Sequence, residues 1–178
     1  MENSTFENLR KKWSTQRELF QQWNLDLIQS SFSLRSAIRE KLGVDEIFWK
    51  DADTNEDRSY VELSKIIGDK SEVIEVADST MISEDGGLIF GISITLDHQS
   101  NSYPKGRYNL PVVIQYFAKE LKYNFWDVVE EAPEKDSNWL NSEDDIANKI
   151  IERLDLYFSF DPKEGVNEKN RIGFISEQ

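Results

Sequence analysis

Cysteine is absent from the 178-residue chain, which removes disulfides, thiolate metal centres and cysteine nucleophiles together. A single histidine is too little for a zinc site, which draws on several Cys or His ligands, so only oxygen-bound metals such as magnesium stay compatible with the composition. Four prolines and eight glycines leave little for linkers or low-complexity tracts. No apolar run approaches the roughly 20 residues that span a bilayer, and Met1 to Asn8 lack the apolar stretch of a signal peptide. The expectation is a cytoplasmic protein without membrane contact. Glycine-rich phosphate loops, nucleophile elbows and paired-histidine motifs are missing as well. No cofactor and no resident metal is therefore expected, and binding is favoured over catalysis.

Ten Phe, six Tyr and five Trp supply large apolar bodies. A chain of this length buries roughly 70% of the surface its unfolded form exposes, and the expectation is one domain over residues 1–178. Within it, residues 1–43 read as a helical N-terminal segment, 44–160 as an α+β core, and 161–178 as a polar tail or edge strand.

The net charge is −13 and uneven. Residues 1–43 hold seven Lys or Arg against five Asp or Glu, and residues 44–86 hold four against thirteen. Residues 87–126 hold four against two, and residues 127–178 six against fourteen. Two acidic blocks thus flank a near-neutral centre. Such a field repels nucleic acid and anionic membrane, so direct nucleic-acid binding is not expected, and it speeds encounter with a basic protein.

That centre carries the most regular pattern. Leu88, Phe90, Ile92, Ile94 and Leu96 alternate with Ile89, Gly91, Ser93 and Thr95, the period of a strand. Upstream, Ser4-Thr5-Phe6-Glu7 has the form of a capping box. Phe6, Leu9, Trp13, Phe20, Trp23 and Leu27 follow at spacings of three, four and seven, with Gln16 where another apolar residue would fit. This predicts a helix to the mid-twenties whose aromatic stripe packs on the domain's own sheet; left uncovered, it would be a partner-binding groove or a dimer seam. A second helix is predicted from Phe32 to Leu42, stopped by Gly43, then a short strand at residues 47–49. Ser59-Tyr60-Val61-Glu62 repeats the capping-box form and predicts a two-turn helix ending at Gly68. Residues 72–77 read as a strand paired with the central one across Asp85-Gly86-Gly87. Leu110, Val113, Ile114, Phe117 and Leu121 have helical spacing, residues 123–129 are strand-like, and Ser142 caps a helix to about Tyr157 with acid at its positive end. The fold class is α+β: an antiparallel sheet of three to five strands with the N-terminal helix and later helices packed on it.

Three functional readings follow. The preferred one is a protein-binding domain, an inhibitor, immunity partner or charge mimic, that occupies a basic surface through Asp51, Asp53, Glu56 and Asp57 with Glu143, Asp144 and Asp145. The spacing of Asp51, Asp53 and Asn55 resembles the start of a calcium loop, but its sixth position is Glu56 where glycine is needed, which favours a solvated loop. The second reading is a nucleotide or small-molecule sensor using the long 97–109 loop, where Lys105 and Arg107 lie between Tyr103 and Tyr108. The third is a metal-dependent nuclease-like enzyme on Asp97, Glu120 and Lys122. His98 beside Asp97 has the form of a base with its orienting carboxylate, but no nucleophile accompanies it.

Overall fold

In the computed structural model the described residues are 5–68, 70–99, 102–103 and 105–159, with backbone alone at 175–176. The strand at the centre of the sequence is also central in space. β5, Leu88–Leu96, pairs antiparallel on one side with β3, Val61–Ile67, and on the other with β6, Gly106–Phe117. The sheet continues outward through β4, Lys70–Ile74, beyond β3, and through β7, Glu120–Asp127, and β8, Ala132–Pro133, beyond β6. β9, Ile175–Ser176, pairs with Tyr108 and Asn109 of β6, making seven strands among the described residues, more than the three to five expected. A separate hairpin joins β1, Phe48–Lys50, to β2, Asp57–Ser59. Of the 161–178 segment, expected as a polar tail or edge strand, only 175–176 are described; the remainder, like the capping Ser4, lies outside the described residues.

One face of the sheet is aliphatic and aromatic. Val61, Leu63, Leu88, Phe90, Ile92, Ile94, Leu110, Val112, Ile114, Tyr123 and Phe125 form a single cluster with helix residues Leu27, Leu34, Ile38, Ile146 and Ile150. Those helices are α1, Thr5–Leu42, and α2, Glu143–Phe158. On the opposite face Ser64, Ser93, Thr95 and Asn109 are also buried. The central strand is therefore enclosed on both sides rather than half solvated.

Four predicted elements differ from the structure. The two N-terminal helices are one 38-residue helix: Ser30 and Ser31, which look like a polar interruption, are buried, and Ser31 Oγ satisfies itself on the Ile28 carbonyl at 2.7 Å. Small hydroxyl residues there let α1 approach the sheet closely. Gly43, at φ +67°, ends the helix, its N–H donating to the Glu40 carbonyl at 3.0 Å. The predicted helix after Ser59 is β3, in which Val61 and Leu63 face the core while Glu62 and Ser64 face the other way. The strand predicted at 72–77 ends at Ile74, as part of β4, and β4 pairs with β3 rather than with β5; an isolated bridge, Ile82 to Leu88, links the segment before the Gly86 turn to β5.

The helix predicted at 110–121 is β6 and the start of β7. Strands buried on both faces read as continuous apolar runs, so their period is lost. Pro111 falls between the ladder to β9 at Asn109 and the ladder to β7 at Val112, where its missing N–H is tolerated. The β6–β7 turn places Ala118 at φ +48° and Lys119 at φ +74°, a two-residue hairpin without the Asn-Gly sequence that normally announces one.

Candidate functional site

The 97–109 loop folds inward. Lys105 places Nζ 2.9 Å from Asp97 Oδ2, with only 7% of its side chain exposed, and it lies 5.1 Å from the Trp49 ring centroid, 5.8 Å from that of Tyr60 and 5.1 Å from that of Tyr103. Tyr60 donates its hydroxyl to the same Asp97 oxygen at 2.7 Å, and the Tyr103 hydroxyl donates to the Lys50 carbonyl. This is a cation held by three rings and one carboxylate, an arrangement strengthened by desolvation. Arg107 reaches Glu62 at 3.9 Å. Tyr108 packs edge-on against Tyr157 and Phe158, and burial pushes its hydroxyl pKa up. The four loop residues do not converge on one point: Lys105 and Tyr103 belong to the Trp49 cage, Arg107 to an ion-pair network, and Tyr108 to the end of α2. Asp97 is committed to holding the loop, while His98 is exposed.

The acidic residues are partly neutralised where they stand. Asp51 accepts backbone N–H groups from Asp53 at 2.9 Å and Thr54 at 3.2 Å, and these bonds hold its carboxyl below the ordinary aspartate range. It also pairs with Arg58 at 3.2 Å. Arg58 in turn grips Glu62 with Nε at 3.1 Å and Nη2 at 3.0 Å. Burial opposes the Arg58 charge, but Glu62 and Asp51 outweigh it and raise its pKa. Asp57 pairs with Lys50 at 2.9 Å and Asp144 with Lys41 at 3.3 Å. Asp53, Glu56 and Asp145 are exposed. Both blocks approach the C-terminal end of α1: Arg39 lies over the Phe48 ring at 5.9 Å, next to the hairpin that carries Asp51–Asp57, and Lys41 reaches the first turn of α2. Ser142 caps that turn, accepting from the Asp145 N–H at 3.2 Å.

An open depression of about 490 Å³ lies where β7 begins and α2 starts, lined by Glu120, Leu121, Lys122, Tyr123, Asn141 and Glu143. Lys122 is satisfied there by Glu120 at 2.7 Å and Asn141 at 2.6 Å; its hydrogen bond lowers the Glu120 pKa. Burial and the hydrogen bond with Glu143 push the Tyr123 hydroxyl far up. Asp97 is remote from this place. It follows Leu96, which pairs with Gly106 at one end of β6, whereas Glu120 pairs with Phe117 at the other end. At about 3.3 Å per residue along β6 they are tens of ångströms apart, so Asp97, Glu120 and Lys122 form no common site. Among the described residues no group of three or more His, Asp or Glu could hold a metal ion.

The feature that sequence reasoning misplaced is the N-terminal half of α1. Its aromatic stripe, expected against the sheet, is not covered: Phe6 is 70% exposed, Leu9 60%, Trp13 62% and Phe20 54%, and every residue from Asn8 to Gln22 is exposed. Contact with the body begins at Trp23, whose ring would lie 3.2 Å from a Cβ placed on Gly86. It continues through Asp26, which accepts from the Tyr116 hydroxyl at 3.0 Å, to the buried Leu27. An isolated segment of this length is marginal as a helix in water, but here the packed half supplies the nucleus and the outer half propagates from it. No protein-family model, curated protein or solved structure matches the chain. No helix among the described residues is long and apolar enough to cross a membrane.

Proposed function

We propose that this chain is a protein-binding domain whose contact element is the projecting N-terminal half of α1, with the sheet and the rest of α1 as its rigid mount. The observation that carries this reading is the uncovered stripe of Phe6, Leu9, Trp13 and Phe20 on one line of one helix. Contiguous exposed apolar surface of this kind marks an interaction site, and Trp, with its large rigid ring, is enriched among residues that dominate binding energy. The exposed acids Asp53, Glu56 and Asp145 act secondarily, as a field that steers encounter.

The test is affinity capture from the native host with three baits: the wild type, a Leu9→Ser/Trp13→Ser/Phe20→Ser variant and an Asp53→Asn/Glu56→Gln variant. A protein held by the wild type and the charge variant but lost by the stripe variant is the expected result. A protein lost only by the charge variant returns the assignment to an acidic surface that occupies a basic partner. Equal retention by all three overturns the proposal.

A further inference from the structure

The exposed stripe is the continuation of a seam already in use. Taking Phe6 as the first core position of a seven-residue repeat, the a positions are Phe6, Trp13, Phe20, Leu27 and Leu34, and the d positions are Leu9, Gln16, Trp23, Ser30 and Ala37. The inner half of this series is buried in the domain core; the outer half is bare. A strict a/d seam is narrow, the geometry of one helix received by another.

The residues beside the bare seam have one sign. Positions e and g carry Arg10, Lys12 and Arg17, with the uncharged Thr5 and Leu19 at the other g positions, whereas Glu7 and Glu18 fall at b and f on the back. Arg17 lies over the Trp13 ring at 5.7 Å, and Arg10 meets Glu7 at 3.7 Å. In paired helices the e and g charges choose the partner. A second copy is a poor choice: parallel pairing sets Lys12 of one helix against Arg17 of the other, and antiparallel pairing sets Arg10 against Arg17. The body of a second copy is acidic, and its exposed apolar side chains among the described residues are divided between places far apart in the chain, Ile47 and Phe48, Ile67, Val129, and the end of α2. A lipid surface suits a broad apolar face and tolerates little negative charge nearby, and this chain carries −13 overall.

Resting on the reading of α1 as the contact element, we infer that the partner is an amphipathic helix of another protein with an apolar seam and Asp or Glu at its flanking positions. Gln16 is the one polar d residue of the bare half and sets the register, since a buried polar core position favours alignment with a polar residue opposite. The body of this chain is acidic on balance and disfavours the same acidic helix, whereas residues 5–22 of α1 hold four Lys or Arg against two Glu. Docking is thereby confined to the projecting half.

The test uses the full chain and two synthetic peptides of about four heptads each, identical in a Leu/Ile seam, one with Glu and one with Lys at every e and g position. Binding is followed by tryptophan fluorescence and calorimetry. The Glu peptide should bind about tenfold or more tightly than the Lys peptide at low salt, a preference that narrows as salt screens the flanking charges. An Arg10→Glu/Lys12→Glu/Arg17→Glu variant should reverse the order. If the Lys peptide binds the wild type equally well, the acidic-partner inference fails while the stripe remains a contact element. If neither peptide binds, or the Leu9→Ser/Trp13→Ser/Phe20→Ser variant binds as the wild type does, both fail. Dimerisation at micromolar concentration that this variant abolishes overturns the exclusion of a second copy. Stripe-dependent capture by phosphatidylserine vesicles overturns it in favour of a lipid surface.

Discussion

The two halves of α1 share one seven-residue repeat and have opposite fates. The inner half presents Leu27, Ser30, Ser31, Leu34 and Ile38 to the domain interior, all buried; the outer half presents Phe6, Trp13 and Phe20 to solvent. Their side chains suit those fates. Aliphatic residues interleaved with serine let a helix lie close on a sheet, as Ser30 does beside Tyr123, whose hydroxyl has Ser30 as a hydrogen-bond partner. Large rings at every second turn hold a surface further away and provide contact area of about 150 to 250 Å² each when covered. The ends differ in charge too: residues 5–22 hold four Lys or Arg against two Glu, while the far end of the helix borders both acidic blocks. Amphipathic spacing states that a face will be covered; residue size and flanking charge state by what.

Truncation of equivalent seam positions on either side of Trp23 should affect the two halves of α1 very differently. Leu34→Ala in the inner half should cost about 3 kcal/mol, the range for a buried leucine, whereas Phe20→Ala in the outer half should stay within about 0.5 kcal/mol. Equilibrium denaturant unfolding reads both, and comparable losses would mean that the outer stripe is covered in the free protein. Next in size is the cage at the acidic end. Lys105→Ala takes the ammonium away from the part-buried Asp97 carboxylate and should cost about 2 kcal/mol, with a change in the fluorescence of Trp49, which that cation faces. A loss as small as that of an exposed ion pair would show that the 97–109 loop is not fastened by Lys105.

Smaller effects follow from turns and caps. Replacing Ala118 by Asn and Lys119 by Gly relieves two left-handed residues in the β6–β7 turn and should stabilise the protein by about 1 kcal/mol, seen as a higher denaturant midpoint with an unchanged slope. Ser142→Ala removes the cap of α2 and should cost about 1 kcal/mol. Neither change lies on the stripe, so neither should alter the peptide affinities described above.

Which parts of this molecule the sequence discloses follows from how many faces of an element are buried and by what. β5 is legible because alternation survives along it, with Gly91 and Ser93 marking the second face. α2 is legible because Ser142, an acidic first turn and Ile146, Ile150 and Leu154 agree on one answer. β6 is not: Leu110 to Ile114 are buried on both faces, so chance spacing at 110, 113, 114, 117 and 121 imitates a helix, Pro111 falls where a helix start would tolerate it, and the contrary signal is the β-branched run Val112 to Ile114. The hairpin after it is hidden because Ala118 and Lys119 carry no turn signature. β3 was masked by a capping-box coincidence at Ser59 and Glu62, although Glu62 instead serves the ion pair with Arg58. At the site, the aromatic stripe is plain in the sequence, but its exposure is not, because coverage depends on where a helix of 38 residues outruns the sheet beneath it. The cage is likewise hidden: Trp49, Tyr60, Asp97, Tyr103 and Lys105 come from three segments, and only Lys105 beside Tyr103 hinted at it.

The last and smallest effect concerns the acidic end itself. Asp51 is held below the ordinary aspartate range by the N–H groups of Asp53 and Thr54, with Arg58 assisting. A carboxylate whose pKa is lower folded than unfolded stabilises the fold above the unfolded value and loses that contribution as pH falls through the folded value. The turn at 51–55 should therefore hold at neutral pH and at pH 5, then loosen below the ordinary aspartate range, when Asp51 takes up its proton and releases both backbone groups. Carbon-detected titration of the Asp51 carboxyl should give a midpoint below the ordinary aspartate range. Amide exchange at Asp53 and Thr54 should rise over the same interval, while the outer half of α1, which owes nothing to this carboxylate, keeps its exchange unchanged. Asp51→Asn should remove the pH dependence of the turn and leave binding through Trp13 and Phe20 intact; a fall in that binding on acidification, parallel with the loosening of the turn, would show that the two ends of α1 are coupled.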